Sequence, residues 1–404
     1  MPLEKVLVIS PSPFPGIRGD STNYIEMING FMQLGIEVSL LCPKNLNGHS
    51  FDEEMRRRGV SVIRMPVSPP RLEEVGQRQI VFSTVLKQAM FYVVEFLMSL
   101  AVLIERNTKL VMIRHCIHTI NLPPLLGVLA RILRIQSVAD GDLVSASGSQ
   151  GIIQIPRFLL RILALYEQAA IGLYAHFVVS TPAQVGLLRR VGLPESRIIL
   201  KGLGIDIKKV PVHDPIDIPR NTFAYFGGLE RWQNIDHLLK AWAKAMGWRK
   251  GKKTGAMLFV IGDGSMKDDL RKLASELQIT ESTTFLDGIS RETLWAEYFK
   301  LFRALIIPRS SRFFPEEFPM KLIEALAAGK PVIATRVPGI TTMIKESDGV
   351  VFAKPDDEES LALSICRLMN NDREIFALSK RAIRASRRFD LDSQLRRIAQ
   401  ILAD

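Results

Sequence analysis

Short apolar runs alternate with helix-like segments along most of the 404-residue chain, and this alternation strongly limits its fold. The first example is complete. Apolar Val6–Ser10 is followed by a Pro/Gly-rich loop, a helical segment that ends at Gly35, and a second apolar run, Glu37–Leu41. A strand, a helix and a strand within about 35 residues are typical of the parallel βαβ unit. The pattern therefore predicts an α/β fold built on parallel sheets.

The alternation breaks once, at residues 206–221, where three prolines and mixed charges show no periodicity. It then restarts with Phe223–Phe226. Such a break is typical of a linker. We therefore predict two Rossmann-like, doubly wound domains that face a cleft, 1–207 and 208–404, with the last helix packing back on the first domain as an option. Ligands of such sheets bind beyond the carboxyl ends of the strands.

Composition narrows the function. Hydrophobic residues make up 47% of the chain and charged residues 24%, as in ordinary globular proteins. The three cysteines lie far apart, which excludes a disulfide framework and a cysteine zinc site and fits a reducing cytosol. The net charge of +11 indicates an anionic partner, such as a phosphate-bearing substrate or an anionic membrane surface. Basic runs interleaved with aromatics are lacking, so we do not expect nucleic acid as a partner.

The segment 80–104 is unusually apolar, but Lys87 and Glu95 interrupt it before it reaches the length of about 20 residues that a bilayer span needs. A mostly buried helix is the favoured interpretation, and an interfacial helix in contact with lipid is the alternative. The N-terminus does not have the pattern of a signal peptide. We therefore expect a cytoplasmic protein, with a peripheral position on the inner face of the membrane left open.

The strongest functional signal lies between Pro308 and Ala334. Glu316 precedes a predicted helix and Glu324 lies inside it, with seven residues between them. The free N–H groups at the start of this helix, from Phe318 to Lys321, together with the helix dipole favour an anion. Apolar residues flank Glu324, so its carboxylate needs a partner, and a ribose diol would suit it. Taken singly, each glutamate also fits an ordinary exposed acid.

The stretch Glu316–Ala334 resembles the signature of family 4 of the retaining glycosyltransferases, which have the GT-B fold. In that family two glutamates with seven residues between them are followed by an Ala-rich turn and Gly-x-Pro-Val. The resemblance implies a glycosyltransferase that moves a sugar from a nucleotide-sugar donor to a hydroxyl of a glycan or lipid-linked acceptor, in cell-surface polysaccharide or glycolipid synthesis. It implies an acceptor-binding first domain, a donor-binding second domain, and a catalytic role for Glu316. Glu324, Phe318, Met320 and Lys321 would bind the donor.

The resemblance also implies no cofactor and no metal, since an Asp-x-Asp motif does not accompany these elements. Two readings of the same fold remain as alternatives. One is a sugar-nucleotide epimerase, and the other is a non-catalytic sugar-nucleotide binding protein.

The chain departs from the family pattern at two positions that usually bind the donor diphosphate. The segment Tyr225–Leu229 resembles the family's first strand and loop of the second domain. Where the family usually has an Arg after the first Gly, Gly227, and a Lys five residues further on, this chain has Gly228 and Gln233. We take Arg231 as a catalytic candidate. The other basic residues that can replace the missing charge are Arg18, Arg309, Arg312 and Lys321. A lipid-phosphate sugar as donor stays open.

Three further donor-site candidates rest on the same resemblance. Gly262 lies in a Gly-x-Gly turn after a strand, and Ile289 follows the strand whose backbone pairs with the nucleotide base in the family. Gly19, beside Arg18, closes the glycine-containing loop after the first strand. Gly262 and Gly19 also fit plain turns between a strand and a helix.

On the acceptor side, Asp140 and Asp142 flank Gly141, near which the family often carries a His. The two aspartates either line an acceptor pocket or cap the following segment. His115, at the end of another strand, is a further candidate, although a lone His is more often structural.

Overall fold

A computed structural model describes residues 4–10, 19–43, 49–67, 82–105, 108–116, 123–142, 165, 169, 171–190, 192–248, 255–313 and 315–391. Its contacts divide the chain into two compact units, which meet in sequence between Gly202 and Leu203. The predicted return of the last helix to the first domain lies outside the described residues.

The first unit is built on a seven-stranded parallel sheet with the order β3-β2-β1-β4-β5-β6-β7. Its strands are β1 (Lys5–Ile9), β2 (Glu37–Pro43), β3 (Ser61–Met65), β4 (Leu110–Cys116), β5 (Gln136–Asp142), β6 (His176–Val179) and β7 (Ile198–Leu200). Its described helices are α1 (Gly19–Gln33), α2 (His49–Arg57), α3 (Phe82–Glu105), α4 (Pro123–Ile132) and α5 (Pro182–Arg190).

The second unit has a six-stranded parallel sheet with the order β10-β9-β8-β11-β12-β13. Its strands are β8 (Thr222–Phe226), β9 (Met257–Ile261), β10 (Thr283–Leu286), β11 (Ala304–Ile307), β12 (Val332–Thr335) and β13 (Val350–Ala353). Its helices are α6 (Ile235–Gly247), α7 (Lys267–Glu276), α8 (Arg291–Thr293), α9 (Met320–Ala327), α10 (Pro338–Thr341), α11 (Glu358–Leu368) and α12 (Asp372–Ser386). The prediction of an α/β fold with two Rossmann-like sheets is confirmed.

Both faces of the second sheet are covered, which explains why its strands are apolar without interruption. Along β8, Phe223 and Tyr225 pack into one apolar cluster, while Ala224 and Phe226 pack into the cluster on the other face. Helix α9 joins the second of these clusters. This packing fixes the start of α9 close to the carboxyl ends of β8 and β11, where the candidate site lies.

Helix α3 coincides with the apolar segment 80–104. Phe91, Glu95 and Leu103 are buried, whereas Leu97 and Ile104 on the other side are more than half exposed. Among the described helices, none combines the length and apolar composition that a membrane span requires. The helix therefore has one buried face and one exposed apolar face.

Candidate functional site

The loops that follow β8 and β9 pack directly on each other. The N–H of Gly227 donates to the carbonyl of Ile261 at 2.9 Å, and the N–H of Leu229 donates to the carbonyl of Asp263 at 2.9 Å. Gly262 has a φ of +149°, and a Cβ there would lie 1.9 Å from the carbonyl oxygen of Gly227. Only glycine fits this contact. The Gly-x-Gly turn thus has a firm structural role, and its contact with a donor stays a prediction.

Tyr225 lies under this loop and holds it in place. Its ring is fully buried, and its hydroxyl donates to the carbonyl of Gly228 at 2.8 Å. The Nζ of Lys321 lies 4.0 Å from the centre of the same ring. A Cβ on Gly227 would come within 2.7 Å of that Nζ, so the glycine leaves the space that the lysine side chain occupies. The first turn of α9 is therefore coupled to the loop after β8.

Glu324 lies inside α9 and is buried. The Nε of Arg291, at the start of α8, is 3.0 Å from its Oε1. The guanidinium of Arg291 also stacks on Trp295, with its Cζ 4.5 Å from the ring centre. Burial raises the pKa of Glu324, while the charge of Arg291 acts to lower it. The site thus contains a buried carboxylate with a dedicated cation.

The segment before α9 carries Glu316 and Glu317. Arg309 is almost fully buried, and its Nη2 lies 3.1 Å from the Oε2 of Glu317. The N–H of Gly339 donates to the carbonyl of Pro315 at 2.6 Å, which ties the segment to α10. Glu316 is half-buried beside these anchors. The structure therefore places Glu316 and Glu324 at the two ends of one anchored loop-and-helix element.

Other predicted donor-site residues lie around this element. Phe318 and Met320 are half-buried and pack against the apolar cluster that contains α9. Ile289 packs against the same cluster. Gly288 donates its N–H to the Oδ2 of Asp263 at 2.6 Å, so part of the backbone after β10 already has a partner. Contacts of these residues with a donor remain predictions.

The two positions that lack the expected charge lie in the loop before α6. Gly228 is exposed, and Arg231 to Gln233 form a single 3₁₀ turn that ends at Asn234. Arg231 is exposed and Gln233 half-buried. Lys321, in contrast, lies in the anchored element, and Arg309 and Arg291 contact its glutamates. Arg312, just before the element, is exposed.

The site residues that were predicted in the first unit are described by their positions in its helices and strands. Gly19 begins α1, and Arg18 lies outside the described residues. His115 pairs with Gly141 across the parallel ladder of β4 and β5, and Cys116 pairs with Asp142. The three acceptor-side candidates, His115, Asp140 and Asp142, are therefore at the carboxyl ends of two neighbouring strands, and their roles stay predictions.

Sequence reasoning missed Arg291, Trp295 and the side-chain role of Tyr225. Nothing in the primary sequence links Arg291 to Glu324, because the pair forms only when α8 and α9 pack on one sheet. The available signal was the apolar sequence around Glu324. It indicated that the carboxylate needs a partner, but it did not identify Arg291 as that partner. Within the described ranges, the acidic, His and Cys side chains form no group of three or more that suits a metal ion.

Comparison with solved structures identifies the fold. The chain is similar to a sucrose-phosphate synthase from Thermosynechococcus elongatus at 19% identity and a TM-score of 0.74, with 99% of this chain and 98% of that chain covered. It is also similar to HepE of Anabaena, solved with UDP and glucose, at 15% identity and a TM-score of 0.70, with 99% of each chain covered. At such identities the likeness shows the fold, which is the two-domain GT-B fold of glycosyltransferases.

The sequence of the second unit matches a known family. Residues 208–389 match the family described as glycosyl transferases group 1. The predicted resemblance to glycosyltransferases is confirmed at the level of this match.

Curated relatives match over less than half of the chain's length. A D-inositol 3-phosphate glycosyltransferase of Mycolicibacterium smegmatis is 33% identical over 162 residues, which are 39% of this chain and 34% of that protein. An exopolysaccharide phosphotransferase of Streptomyces coelicolor is 32% identical over 166 residues, 40% of this chain and 16% of that protein. The matches thus span well under two thirds of these relatives.

Proposed function

We propose that the protein is a retaining glycosyltransferase that uses a nucleotide-sugar donor and a hydroxyl acceptor. The observation that carries this proposal is the buried, Arg291-paired carboxylate of Glu324 on the same helix as the buried amine of Lys321. One group is a hydrogen-bond acceptor suited to a ribose diol, and the other is a cation suited to a phosphate. The likeness to HepE, whose structure contains UDP and glucose, supports this choice of donor.

Glu316 would hold sugar hydroxyls next to the anomeric carbon, because it lies at the entrance of the helix whose interior holds Glu324. In a front-face displacement the acceptor oxygen bonds to the anomeric carbon as the bond to the diphosphate oxygen breaks. The acceptor proton passes to the departing phosphate, so no strong protein base is needed. The site then has to stabilise the charge that develops on the leaving group, which N–H groups at a helix start and a nearby cation do well.

We further propose a glycan or lipid-linked acceptor, cell-surface polysaccharide or glycolipid synthesis, and catalysis without a metal. The similarity to an exopolysaccharide phosphotransferase supports the cell-surface role. A structural neighbour described as a glycosyltransferase of lipopolysaccharide biosynthesis, WaaG, covers 98% of this chain at a TM-score of 0.69 and 16% identity and fits the same setting. Activity that persists in excess EDTA is the expected result for a metal-free reaction.

The roles of the two glutamates are tested with Glu316→Gln and Glu324→Gln. A panel of nucleotide sugars first identifies the donor by release of free nucleotide, with and without candidate acceptors. Glu316→Gln is expected to lower kcat about 100-fold with little change in donor affinity. Glu324→Gln is expected mainly to raise the KM of the donor. Nucleotide release by the wild-type protein alone separates an enzyme from a binding protein, and unchanged transfer by both variants would refute the assignment.

The peripheral membrane position is supported by α3, whose side chains at Met90, Val93, Leu97 and Ile104 form an exposed apolar face. Apolar faces of this kind bind the interface between headgroups and acyl chains, and the net positive charge of the chain favours anionic lipid. Flotation with anionic vesicles should carry the wild-type protein upward, and Leu97→Ser together with Ile104→Ser should release it. Wild-type protein that stays at the bottom of the gradient contradicts this localisation and leaves the transferase proposal intact.

A further inference from the structure

The side chain of Lys321 carries a buried amine in the first turn of α9. Its Nζ is shielded from solvent and, in the part of the chain that the structure describes, has no hydrogen-bond partner. Its contact is the face of the Tyr225 ring, at 4.0 Å from the ring centre. Burying an ammonium group without a hydrogen-bond acceptor costs free energy. A ligand that accepts a hydrogen bond from the Lys321 amine would remove this cost.

The groups around Lys321 point to an anion. Arg309, almost fully buried, adds a second positive charge, and that charge acts with burial to lower the pKa of Lys321 to about 7. Glu324 acts in the opposite direction, but Arg291 already lies against its carboxylate. Tyr225 contributes a ring face, and its hydroxyl donates a hydrogen bond to the carbonyl of Gly228. Since Arg309 pairs with Glu317 and Arg291 with Glu324, the Lys321 amine is the group here that an anionic ligand would neutralise.

The position of Lys321 fits a phosphate ligand. It is the second residue of α9, where backbone N–H groups lack partners within the helix and the helix dipole is positive. Its Nζ lies against Gly227, whose missing side chain leaves the space that the lysine side chain occupies at the loop after β8. The same loop has no cation at Gly228 or Gln233.

We propose that the Lys321 side chain binds the diphosphate of the donor and supplies the charge that positions 228 and 233 lack. This inference rests on the proposed function and names the group that grips the leaving phosphate. Because the amine is largely neutral above a pH of about 7 in the free protein and charged in the complex, binding takes up a proton in alkaline solution. The bound amine then neutralises the charge that grows on the departing phosphate.

Lys330 offers a matched control. Its Nζ is also buried without a hydrogen-bond partner in the described chain, it lies 5.7 Å from the centre of the Phe302 ring, and burial lowers its pKa to about 7. It precedes β12, at the amino ends of the strands, and is thus on the opposite edge of the sheet from Lys321. Lys330→Met removes a similar charge without touching the proposed site.

The experiment is calorimetric titration of the full chain with UDP, GDP and ADP and with the matching nucleosides, at pH 8 in two buffers of different ionisation enthalpy. For the diphosphate that the wild-type protein binds best, Lys321→Met should weaken binding at least tenfold while leaving nucleoside binding within twofold. Lys321→Arg should recover most of the loss. The wild-type protein and Lys330→Met should each take up close to one more proton per diphosphate than Lys321→Met.

The outcomes separate the two proposals. If the wild-type protein binds a diphosphate and Lys321→Met binds it equally well, or loses nucleoside and diphosphate affinity alike, the role of Lys321 is overturned and the transferase proposal stands. If Lys330→Met weakens diphosphate binding as much as Lys321→Met, the effect does not depend on where the removed amine lies and the role of Lys321 is again overturned. If the wild-type protein binds none of the three diphosphates, the nucleotide-sugar donor and the role of Lys321 fall together.

Discussion

Arg291 and Glu324, which come from different helices of the second unit, meet with 3.0 Å between Nε and Oε1. Glu324 is buried, and burial alone would favour its neutral form. The charge of Arg291 opposes this effect, and the stacking of its guanidinium on Trp295 fixes where that charge lies. We therefore expect Arg291 to act as a positioning residue that opposes protonation of this carboxylate at the carboxyl edge of the sheet.

Replacing Arg291 should weaken donor binding in a pH-dependent way. In Arg291→Gln the buried Glu324 loses its cation, its pKa rises further, and less of it is ionised at neutral pH. We expect the donor KM to increase about tenfold at pH 7 and to fall again as the pH is raised to 8.5, whereas the wild-type KM changes little. The preference for a donor over its 2′-deoxyribose analogue should shrink as well. Steady-state kinetics across this range are the measurement.

The control for this effect is Arg336→Gln, which removes an exposed arginine paired with Glu346 in the same unit. Arg291→Lys keeps the charge and should retain most of the wild-type behaviour. A uniform loss of kcat at every pH, without a change in the 2′-hydroxyl preference, would contradict a positioning role.

The contact between Gly262 and Gly227 predicts a strong effect of one methyl group. In Gly262→Ala the new Cβ would overlap the carbonyl oxygen of Gly227, and the φ of +149° is unfavourable for alanine. We expect a loss of about 3 kcal/mol in the free energy of unfolding and a loss of nucleotide binding. Gly247→Ala is the control, because position 247 ends α6 with open space around it and should be neutral or slightly stabilising. Urea unfolding of both variants checks the prediction, and equal stability of the two would refute it.

The fold could be predicted because its strands are buried on both faces and therefore read as short continuous apolar runs. The strand predicted at Glu37–Leu41 continues to Pro43, and the strand predicted at Phe223–Phe226 begins one residue earlier, at Thr222. At Leu110–Cys116 the ladder continues past the apolar run into Arg114 and His115. Ladder hydrogen bonds do not require apolar side chains, so the sequence pattern underestimates such strands.

Only part of the candidate site could be predicted from the sequence. Glu316 and Glu324 could be found because their spacing lies within one local element. Arg291, Trp295 and Tyr225 could not, because their contacts with Glu324 and Lys321 depend on how two helices pack on one sheet. The same reason explains why the environment of the Lys321 side chain could not be predicted. Its backbone position at a helix start was evident from the sequence, but its burial against an aromatic ring was not.

Glu95 should make the first unit less stable as the pH rises. Both of its carboxylate oxygens are buried without a hydrogen-bond partner in the described chain, and burial raises its pKa to about 8. Between its unfolded pKa of about 4.5 and about 8, the folded state binds more protons than the unfolded state. Stability therefore falls with increasing pH, by up to about 1.4 kcal/mol per unit. Urea unfolding at pH 5.5, 6.5 and 7.5 should show a smaller decline in Glu95→Gln than in the wild-type protein. Glu54→Gln, an exposed carboxylate, should leave the decline unchanged.

Lys330 should have the opposite pH dependence in the second unit. Its pKa in the folded state is about 7, well below the 10.5 of the exposed amine, so between these values the unfolded state binds more protons. Stability then rises with pH across this window, by up to about 1.4 kcal/mol per pH unit. Lys330→Met should therefore be more stable than the wild-type protein at pH 7, and its stability should depend less on pH.

The positive charge of Lys330 also adds to burial in lowering the pKa of His213, so Lys330→Met should shift the His213 titration upward in NMR spectra. Lys272→Met, which removes an exposed lysine, is the control for both readouts. An unchanged pH profile together with an unchanged His213 titration would show that the Lys330 amine is not the buried base described above.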